Sequence, residues 1–177
     1  AQAIDYQRKR AAYADQTGPV RRGVGMALFW YNTAVWPISL ETSSCRMVLN
    51  QDGSVQVQTG ETEIGQGCDT AFTQMAADAI GVPFEDVHII STQDTDITPF
   101  GTGAYASRQT YVGGFALRQT GQLLKERILA YAQELTRQPV ANLDLIDGKI
   151  VRITDGRELM TLGELATEAL YSLTHSQ

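Results

Sequence analysis

The sequence predicts an α+β fold in which antiparallel β-hairpins pack with helices. Short apolar runs flank both Asn50-Gln51-Asp52-Gly53 and Asp147-Gly148, and Asp-Gly supplies the positive φ that a tight hairpin turn requires. Between them, apolar residues recur at spacings of three and four, which is the period of one helix face. Hairpin and helix signals in a chain of 177 residues indicate hairpins packed under helices.

The first 40 residues contain one helix signal and one strand signal. Residues 4–14 are rich in Ala, Gln, Arg and Lys and predict a short helix, which Thr17-Gly18-Pro19 ends. Residues 22–30 are expected to form a buried strand with two glycines. Residues 32–40, which include Trp36-Pro37, are expected to form a loop at the sheet edge.

The next segment predicts a hairpin followed by a helix. Residues 45–49 and 54–57 are its two strands, with valines on one face and glutamines on the other. A helix is expected to begin near Asp69 and to stop at Gly81-Val82-Pro83. Its apolar stripe consists of Phe72, Met75, Ala76, Ala79 and Ile80.

The second half repeats these signals. Residues 87–91 predict a strand, and a long helix is expected from about Tyr105 towards Gln138, where Gly113-Gly114 marks close packing. A second hairpin covers residues 143–153. A turn at Asp155-Gly156 then leads to the capping box Thr161-Leu162-Gly163-Glu164, which opens the last helix.

Composition excludes several classes of function. The net charge is −6 and the sequence pI is about 4.8, which argues against a nucleic-acid partner. No apolar run reaches membrane-spanning length. Cys45 and Cys68 lack the spacing of an iron–sulfur or zinc site. As free thiols they fit a reducing cytoplasm, and a single disulfide bridge between them is the alternative. His88 and His175 are expected to be surface or strand histidines.

Two Gly-rich turns, residues 60–67 and 101–109, are the candidate functional segments. Each precedes a predicted helix, where unpaired N–H groups and the helix dipole favour anions. Gln66, Ser107 and Gln109 add neutral donors suited to a phosphate or a heterocycle edge. Either turn alone is also typical of a plain connector.

Two other interpretations of these turns are weaker. The spacing Gly101-x-Gly103-x-x-Ala106 is similar to a dinucleotide fingerprint, but the preceding Thr98-Pro99-Phe100 is not a strand. Glu61 and Glu63 are expected to be solvated or to cap a helix rather than to act as an acid–base pair.

The ordered motifs together resemble the molybdenum hydroxylase family, which includes xanthine dehydrogenase and aldehyde oxidase. The resemblance covers residues 22–170. It is carried by the segments Asp52-Gly53-Ser54-Val55, Gly60-Glu61-Thr62-Glu63-Ile64-Gly65-Gln66-Gly67, Thr92-Gln93-Asp94-Thr95-Asp96-Ile97-Thr98-Pro99 and Gly103-Ala104-Tyr105-Ala106-Ser107-Arg108.

The resemblance implies a molybdenum–pterin cofactor, either molybdopterin or its cytosine dinucleotide, whose metal is bound by the pterin dithiolene and not by protein side chains. It implies that Gln66, between Gly65 and Gly67, contacts the metal end of the cofactor. It implies that Trp36 is a candidate wall residue of the substrate channel, and burial in the core is the alternative for so large an aromatic side chain. Family members often carry Ala where Tyr105 stands. The implied pterin contacts are Tyr105, Ala106, Ser107, Arg108 and Gln109.

The resemblance also implies that residues 1–177 are a fragment of the cofactor-binding region, without a full second domain. The family inserts a water-derived hydroxyl into a C–H bond of a purine-type heterocycle or an aldehyde. Its catalytic Gly-x-Gly-Glu motif is not found in residues 1–177, so no catalytic residue is assigned here and the isolated fragment is expected to be inactive. The expected partners are the remainder of the subunit, iron–sulfur and FAD domains or subunits, and a second copy in a homodimer. The alternative is a non-catalytic subunit-contact or anion-binding module.

Overall fold

The computed structural model describes residues 2–33, 42–90 and 94–171. The chain divides into two compact units, Ala1–Tyr31 and Asn32–Gln177. In the smaller unit, helix α1 spans Tyr6–Ala12 and buries none of its residues. The sequence therefore places this helix correctly and extends it by about two residues at each end, which is the usual error for helix ends.

The buried strand expected at residues 22–30 is wrong. The structure assigns no strand there, and Leu28, Phe29 and Trp30 are 89%, 92% and 84% exposed. A strand forms only where a neighbouring strand pairs with its main-chain groups, and the only regular element described in the smaller unit is α1. Trp36 and most of the expected loop at residues 32–40 lie outside the described residues.

The first sheet confirms the predicted hairpin and adds a parallel strand. Strands β1 (Cys45–Leu49) and β2 (Val55–Thr59) are antiparallel, and Gly53 in their turn has φ 92°. Strand β3 (Val87–Ile90) pairs with β2 in parallel. Parallel pairing requires a long crossover, which the helix between the two strands provides.

That crossover helix, α2 (Cys68–Ile80), packs with α3 (Gly114–Thr136) to form the main core. Phe72, Ala76 and Ile80 of the predicted stripe are buried. The helical run that continues into α3 begins with a π-helical turn at Gln109–Gly113 and not at Tyr105, because Ala106 and Ser107 are left-handed.

The Gly113-Gly114 pair marks close packing, as predicted. A Cβ atom on Gly113 would lie 2.7 Å from Glu61 Cγ, and one on Gly114 would lie 2.7 Å from Met75 Cε.

The second sheet is entirely antiparallel. It consists of β4 (Leu143–Ile146), β5 (Lys149–Arg152) and β6 (Arg157–Thr161), and helix α4 (Leu162–Tyr171) follows directly. The capping box is present: Thr161 N–H donates to Glu164 Oε2 over 2.7 Å, and Glu164 N–H donates to Thr161 Oγ1 over 3.2 Å. The α+β class is therefore confirmed.

Three smaller expectations concern the cysteines, His88 and membrane-spanning segments. Cys45 and Cys68 are both free thiols, and His88 is exposed on β3. Among the described residues, no helix combines the length and apolar character that crossing a membrane requires.

Candidate functional site

The first Gly-rich turn, residues 60–67, joins β2 to α2 and is open on one side. Gly65 and Gly67 adopt φ values of 98° and 82°, a conformation that glycine reaches without steric cost. A Cβ atom on either glycine would meet no atom within 4 Å. Gln66 between them is exposed. A ligand can therefore approach the backbone of this turn closely.

The anion position at the start of α2 is filled by the protein itself. Glu63 Oε1 accepts from the N–H groups of Gly65 and Gly67 over 2.7 and 3.1 Å, and Oε2 accepts from Asp69 N–H over 3.2 Å. The donation from Gly67 and Asp69 lowers the pKa of the Glu63 carboxyl group. Glu63 has the capping role that the sequence predicted, but its carboxylate takes the place expected for a bound anion.

The second Gly-rich turn, residues 101–109, is held in an unusual backbone conformation. Ala106 and Ser107 have φ values of 47° and 53°, and Gly103 has φ 105°. Each non-glycine residue in this region costs about 1–3 kcal/mol and persists only where surrounding contacts fix it. A Cβ atom on Gly103 would again meet nothing within 4 Å, and Ser107 is exposed.

The two turns meet first through their main chains. A Cβ atom on Gly60 would overlap the backbone of residues 99–101, and a Cβ atom on Gly101 would lie 2.6 Å from the Gly60 carbonyl carbon. Gly101 also forms an isolated antiparallel bridge with Ser43. The segment before β1 and both turns therefore come together at these glycines.

The turns meet a second time through side-chain amides. Gln66 Nε2 donates to Gln109 Oε1 and, over 3.0 Å, to the Thr62 carbonyl oxygen. Gln109 Nε2 donates to the same Thr62 oxygen over 2.7 Å, while Gln66 Oε1 accepts from Ile64 N–H over 2.7 Å. Two residues that the sequence assigned to one ligand thus share one hydrogen-bond network.

The third connection is an ion pair in the interior. Arg108 Nη1 donates to both carboxylate oxygens of Glu61, over 3.0 and 2.9 Å, and both side chains are 0% exposed. The expected solvated or capping role of Glu61 is therefore wrong, because its carboxylate faces a buried guanidinium. The whole Arg108 residue is 0% exposed, and its main-chain N–H donates to the Tyr105 carbonyl oxygen over 3.0 Å, so Arg108 shapes the second turn from the interior.

A cavity of about 400 Å³ opens beside both turns. Main chain from Gly60, Gly101 and Gly103 lines part of it. The hydroxyl-bearing residues around it are Thr59, Thr62, Thr95, Thr98 and Thr102. Glu61, Pro99 and Phe100 complete the lining, so the cavity combines hydroxyl groups, main chain and apolar surface beside one buried carboxylate.

One group of side chains has metal-ligand atoms close together. The ligand atoms of Glu63, Cys68 and Asp69 lie within 4.8 Å of one another. Glu63 already accepts three main-chain N–H groups. Burial, with a smaller contribution from the charges of Asp69 and Glu63, raises the pKa of the Cys68 thiol to about 12. The Glu63 carboxylate is thus already engaged with the start of α2, and we assign no metal to this cluster.

The structure brings most of the predicted site residues to one region. Gly65, Gln66, Gly67 and Ser107 are exposed, Tyr105 is half-buried, and Ala106, Arg108 and Gln109 are buried. The sequence did not predict that Thr62 and Glu61 connect the two turns. The motif around Gly65 contains both residues, but only their partners 47 positions away reveal this role.

Solved structures identify the class of protein. Quinoline 2-oxidoreductase from Pseudomonas putida 86 matches with a TM-score of 0.62 and 29% identity, covering 73% of this chain and 16% of that one. A copper- and molybdenum-containing CO dehydrogenase matches with a TM-score of 0.64 and 26% identity, covering 72% and 16%. Fold and sequence therefore place the chain with a domain of molybdenum-containing oxidoreductases.

The family follows from two sequence comparisons. The model of the molybdopterin cofactor-binding domain matches residues 1–176. The xanthine dehydrogenase molybdenum-binding subunit of Escherichia coli O157:H7 is 50% identical over 169 residues, which are 95% of this chain and 22% of that protein. The chain belongs to the molybdopterin cofactor-binding domain family. It spans about a fifth of the length of this relative.

Proposed function

We propose that this chain supplies part of the binding site for a molybdenum–pterin cofactor in a xanthine dehydrogenase-like hydroxylase. The observation that carries the proposal is the contact between the Gln66 and Gln109 amides, which joins the two Gly-rich turns into one face. The family match over residues 1–176 supports the same cofactor. When bound, the cofactor supplies a metal centre that activates water for insertion into a substrate C–H bond.

The residues present fit such a cofactor. A pterin ring edge carries hydrogen-bond donors and acceptors without full charges, and a glutamine amide is a neutral group of the same kind. Gln66 Nε2 uses both hydrogens on Gln109 and Thr62, and the Oε1 atom of this exposed residue accepts one N–H and can accept a second. The open sides of Gly65, Gly67 and Gly103 leave room for a flat group against the backbone. Because the pterin holds the metal, the site does not require protein side chains as ligands.

Each turn has its own proposed contacts. In the first turn, Gln66 meets the metal end of the cofactor and the flanking glycines let it approach. In the second turn, Arg108 is fully buried and contributes by holding the turn, not by a contact of its guanidinium with the cofactor. The contacts proposed to complete the site are Gly65, Gly67, Tyr105, Ala106, Ser107 and Gln109.

The activity and partners of the whole protein follow from the relatives. The similarity to a xanthine dehydrogenase subunit supports a purine-type heterocycle as the proposed substrate of the whole protein. An aldehyde is the other proposed substrate class. We place the catalytic carboxylate, the iron–sulfur clusters and FAD in further domains or subunits, since this chain covers 22% of that relative. Two free cysteines support a cytoplasmic location, and a homodimer is the proposed assembly.

The test compares Gln66→Ala with Gln119→Ala in the full-length protein. Gln119 is exposed on α3 and serves as the matched control. Gln66→Ala removes the three hydrogen bonds that the Gln66 amide makes with Ile64, Thr62 and Gln109. Since each is worth about 1 kcal/mol, cofactor retention is expected to weaken by about tenfold or more. Molybdenum per chain by elemental analysis and pterin fluorescence after oxidation measure the effect. Equal cofactor content in both variants would contradict the proposal.

An anion-binding module is the competing function, and Glu63 argues against it. Its carboxylate already accepts three N–H groups at the start of α2, so a phosphate there would have to displace a charged group of the same sign. Calorimetry with inorganic phosphate is expected to detect no binding to the wild-type protein, and Glu63→Gln is not expected to increase the phosphate affinity. A phosphate affinity that rises in this variant would support the competing function.

A further inference from the structure

The Arg108 guanidinium connects three separate segments of the chain. Nη1 donates to Glu61 in the first turn and, over 2.8 Å, to the Gly103 carbonyl oxygen in the second turn. Nη2 donates over 2.6 Å to the Thr42 carbonyl oxygen, ahead of β1. The Tyr105 ring lies 5.7 Å from the guanidinium carbon. A planar group with donors in fixed directions sets the relative positions of everything that it bonds.

Glu61 is held from its other side by packing. Gly113 leaves room for it, because a Cβ atom there would lie 2.7 Å from Glu61 Cγ and 3.2 Å from Oε1. Its N–H group donates to Thr59 Oγ1 over 3.3 Å. Glu61 is therefore bounded by Gly113 on one side and by the Arg108 guanidinium on the other.

The ion pair sits directly behind the amide network. Arg108 precedes Gln109 in the chain and Glu61 precedes Thr62, whose carbonyl oxygen accepts from both Gln66 and Gln109. Because Arg108 and Glu61 hold each other, the positions of their neighbours Gln109 and Thr62, where the amides meet, are also fixed. The ion pair also holds the left-handed backbone at Ala106 and Ser107, which does not persist without surrounding contacts.

Stability alone does not account for such a pair. Replacing a buried ion pair by apolar side chains of similar volume is often neutral or stabilising, whereas removing one partner leaves an uncompensated charge. An apolar pair of the same volume forms no directional hydrogen bonds, so it cannot hold the carbonyl oxygens that Arg108 binds. A role in geometry can therefore be separated from a role in stability.

We propose that Arg108 and Glu61 are a positioning pair that holds the two Gly-rich turns at the spacing needed to grip the cofactor. The part of this inference that concerns the cofactor rests on the proposed function. The part that concerns the spacing of the turns depends only on this chain. Neither residue is assigned a contact between its side chain and the cofactor.

The test uses the double variant Arg108→Met/Glu61→Leu in the full-length protein, with Lys149→Met/Glu158→Leu as the matched control. The control removes a partly exposed ion pair of 2.8 Å between β5 and β6. Thermal unfolding, hydrogen exchange of amides 62–67 and 102–107, and molybdenum content are measured on each protein. The control variant is expected to unfold near the wild-type temperature. The buried-pair variant also leaves the Gly103 and Thr42 carbonyl oxygens without their guanidinium donor, so it is expected to unfold at a somewhat lower temperature.

Only the buried-pair variant is expected to show about tenfold faster exchange in the two turns, together with severalfold less molybdenum. The proposal would be overturned if amide exchange in the buried-pair variant were as slow as in wild type. It would also be overturned if the turns exchanged faster but the molybdenum content stayed at the wild-type value. If the double variant does not fold, the same exchange measurement is made on Arg108→Lys, which keeps the positive charge but loses the planar arrangement of donors. Its turns are expected to exchange faster than those of wild type, and equal exchange would count against the pair.

The two proposals fail differently. A wild-type protein without molybdenum or pterin would contradict the proposed function, and the exchange measurement would still decide whether the pair positions the turns. Normal cofactor content in wild type together with unchanged turns in the double variant would leave the proposed function intact and refute the positioning role.

Discussion

The backbones of Gly60 and Gly101 are in direct contact. A Cβ atom on Gly101 would lie 2.6 Å from the carbonyl carbon of Gly60 and 3.0 Å from its Cα atom. These residues open the two Gly-rich turns. Since main-chain atoms occupy the space on both sides, neither position has a side chain that could move aside.

We expect Gly60→Ala to destabilise the protein and to separate the turns. The new Cβ atom would overlap the backbone of residues 99–101, and such overpacking costs about 1–3 kcal/mol. Chemical denaturation of the variant measures the loss. Gly23→Ala is the control, because a Cβ atom there meets nothing within 4 Å. Equal stability of the two variants would show that the turns can part without cost.

We expect Gly113→Ala to reverse the usual sign of a glycine-to-alanine change in a helix. Alanine normally gains about 1 kcal/mol over glycine in a helix interior, but here its Cβ atom would lie 2.7 Å from Glu61 Cγ. Glu61 is held by Arg108 and cannot move away, so the free energy of unfolding should fall.

The control for that variant is its neighbour on the same helix. Gly114→Ala would meet only Met75 Cε and Sδ, which are the flexible end of a side chain. It should therefore cost less than Gly113→Ala when both are compared by denaturant unfolding. The prediction would be contradicted if Gly114→Ala were the more damaging change.

We expect the contribution of Glu63 to stability to disappear in acid. Hydrogen bonds from the N–H groups of Gly67 and Asp69 lower its pKa in the folded state below the ordinary value of 4.5. The contribution is therefore fully present above 4.5 and is lost as the pH falls through the folded value. The difference in the free energy of unfolding between wild type and Glu63→Gln, measured as a function of pH, should become smaller as the pH falls. Glu85→Gln, at an exposed carboxylate, is the control, and a difference that stayed constant would refute the capping role.

We expect both thiols to resist alkylation in the folded protein. Burial raises the pKa of Cys45 and of Cys68 to about 12, so the reactive thiolate is a very small fraction at about pH 8. Mass spectrometry after iodoacetamide treatment should find little label on native protein and two labels after unfolding. Rapid labelling of Cys68 in native protein would show that the start of α2 opens.

Signals that depend on neighbouring residues were predictable from the sequence. The Asp-Gly turns, the stop after α2 and the capping box at Thr161 each depend on local φ values or on hydrogen bonds within a few residues. The resemblance to a cofactor-binding family depended on ordered motifs, and the match over residues 1–176 confirms it. The sequence also selected the two Gly-rich turns, whose role in binding stays a prediction.

The errors arose where a residue needs a distant partner. An apolar pattern at residues 22–30 shows that a segment could pair as a strand, but not that a partner exists. The parallel pairing of β3 with β2 depends on the path of α2. Composition could not show that Glu61 is buried, because its burial depends on Arg108, 47 positions away.

The sequence by itself determined most of the local elements, the family and the two candidate turns, since each is encoded in residues close together in the chain. Only the tertiary structure decided that the turns share one face, that Glu63 fills the anion position and that Arg108 faces inward. The physical reason is that hydrogen bonds and steric contacts act over a few ångströms in space, and separation along the chain does not reveal which residues come that close.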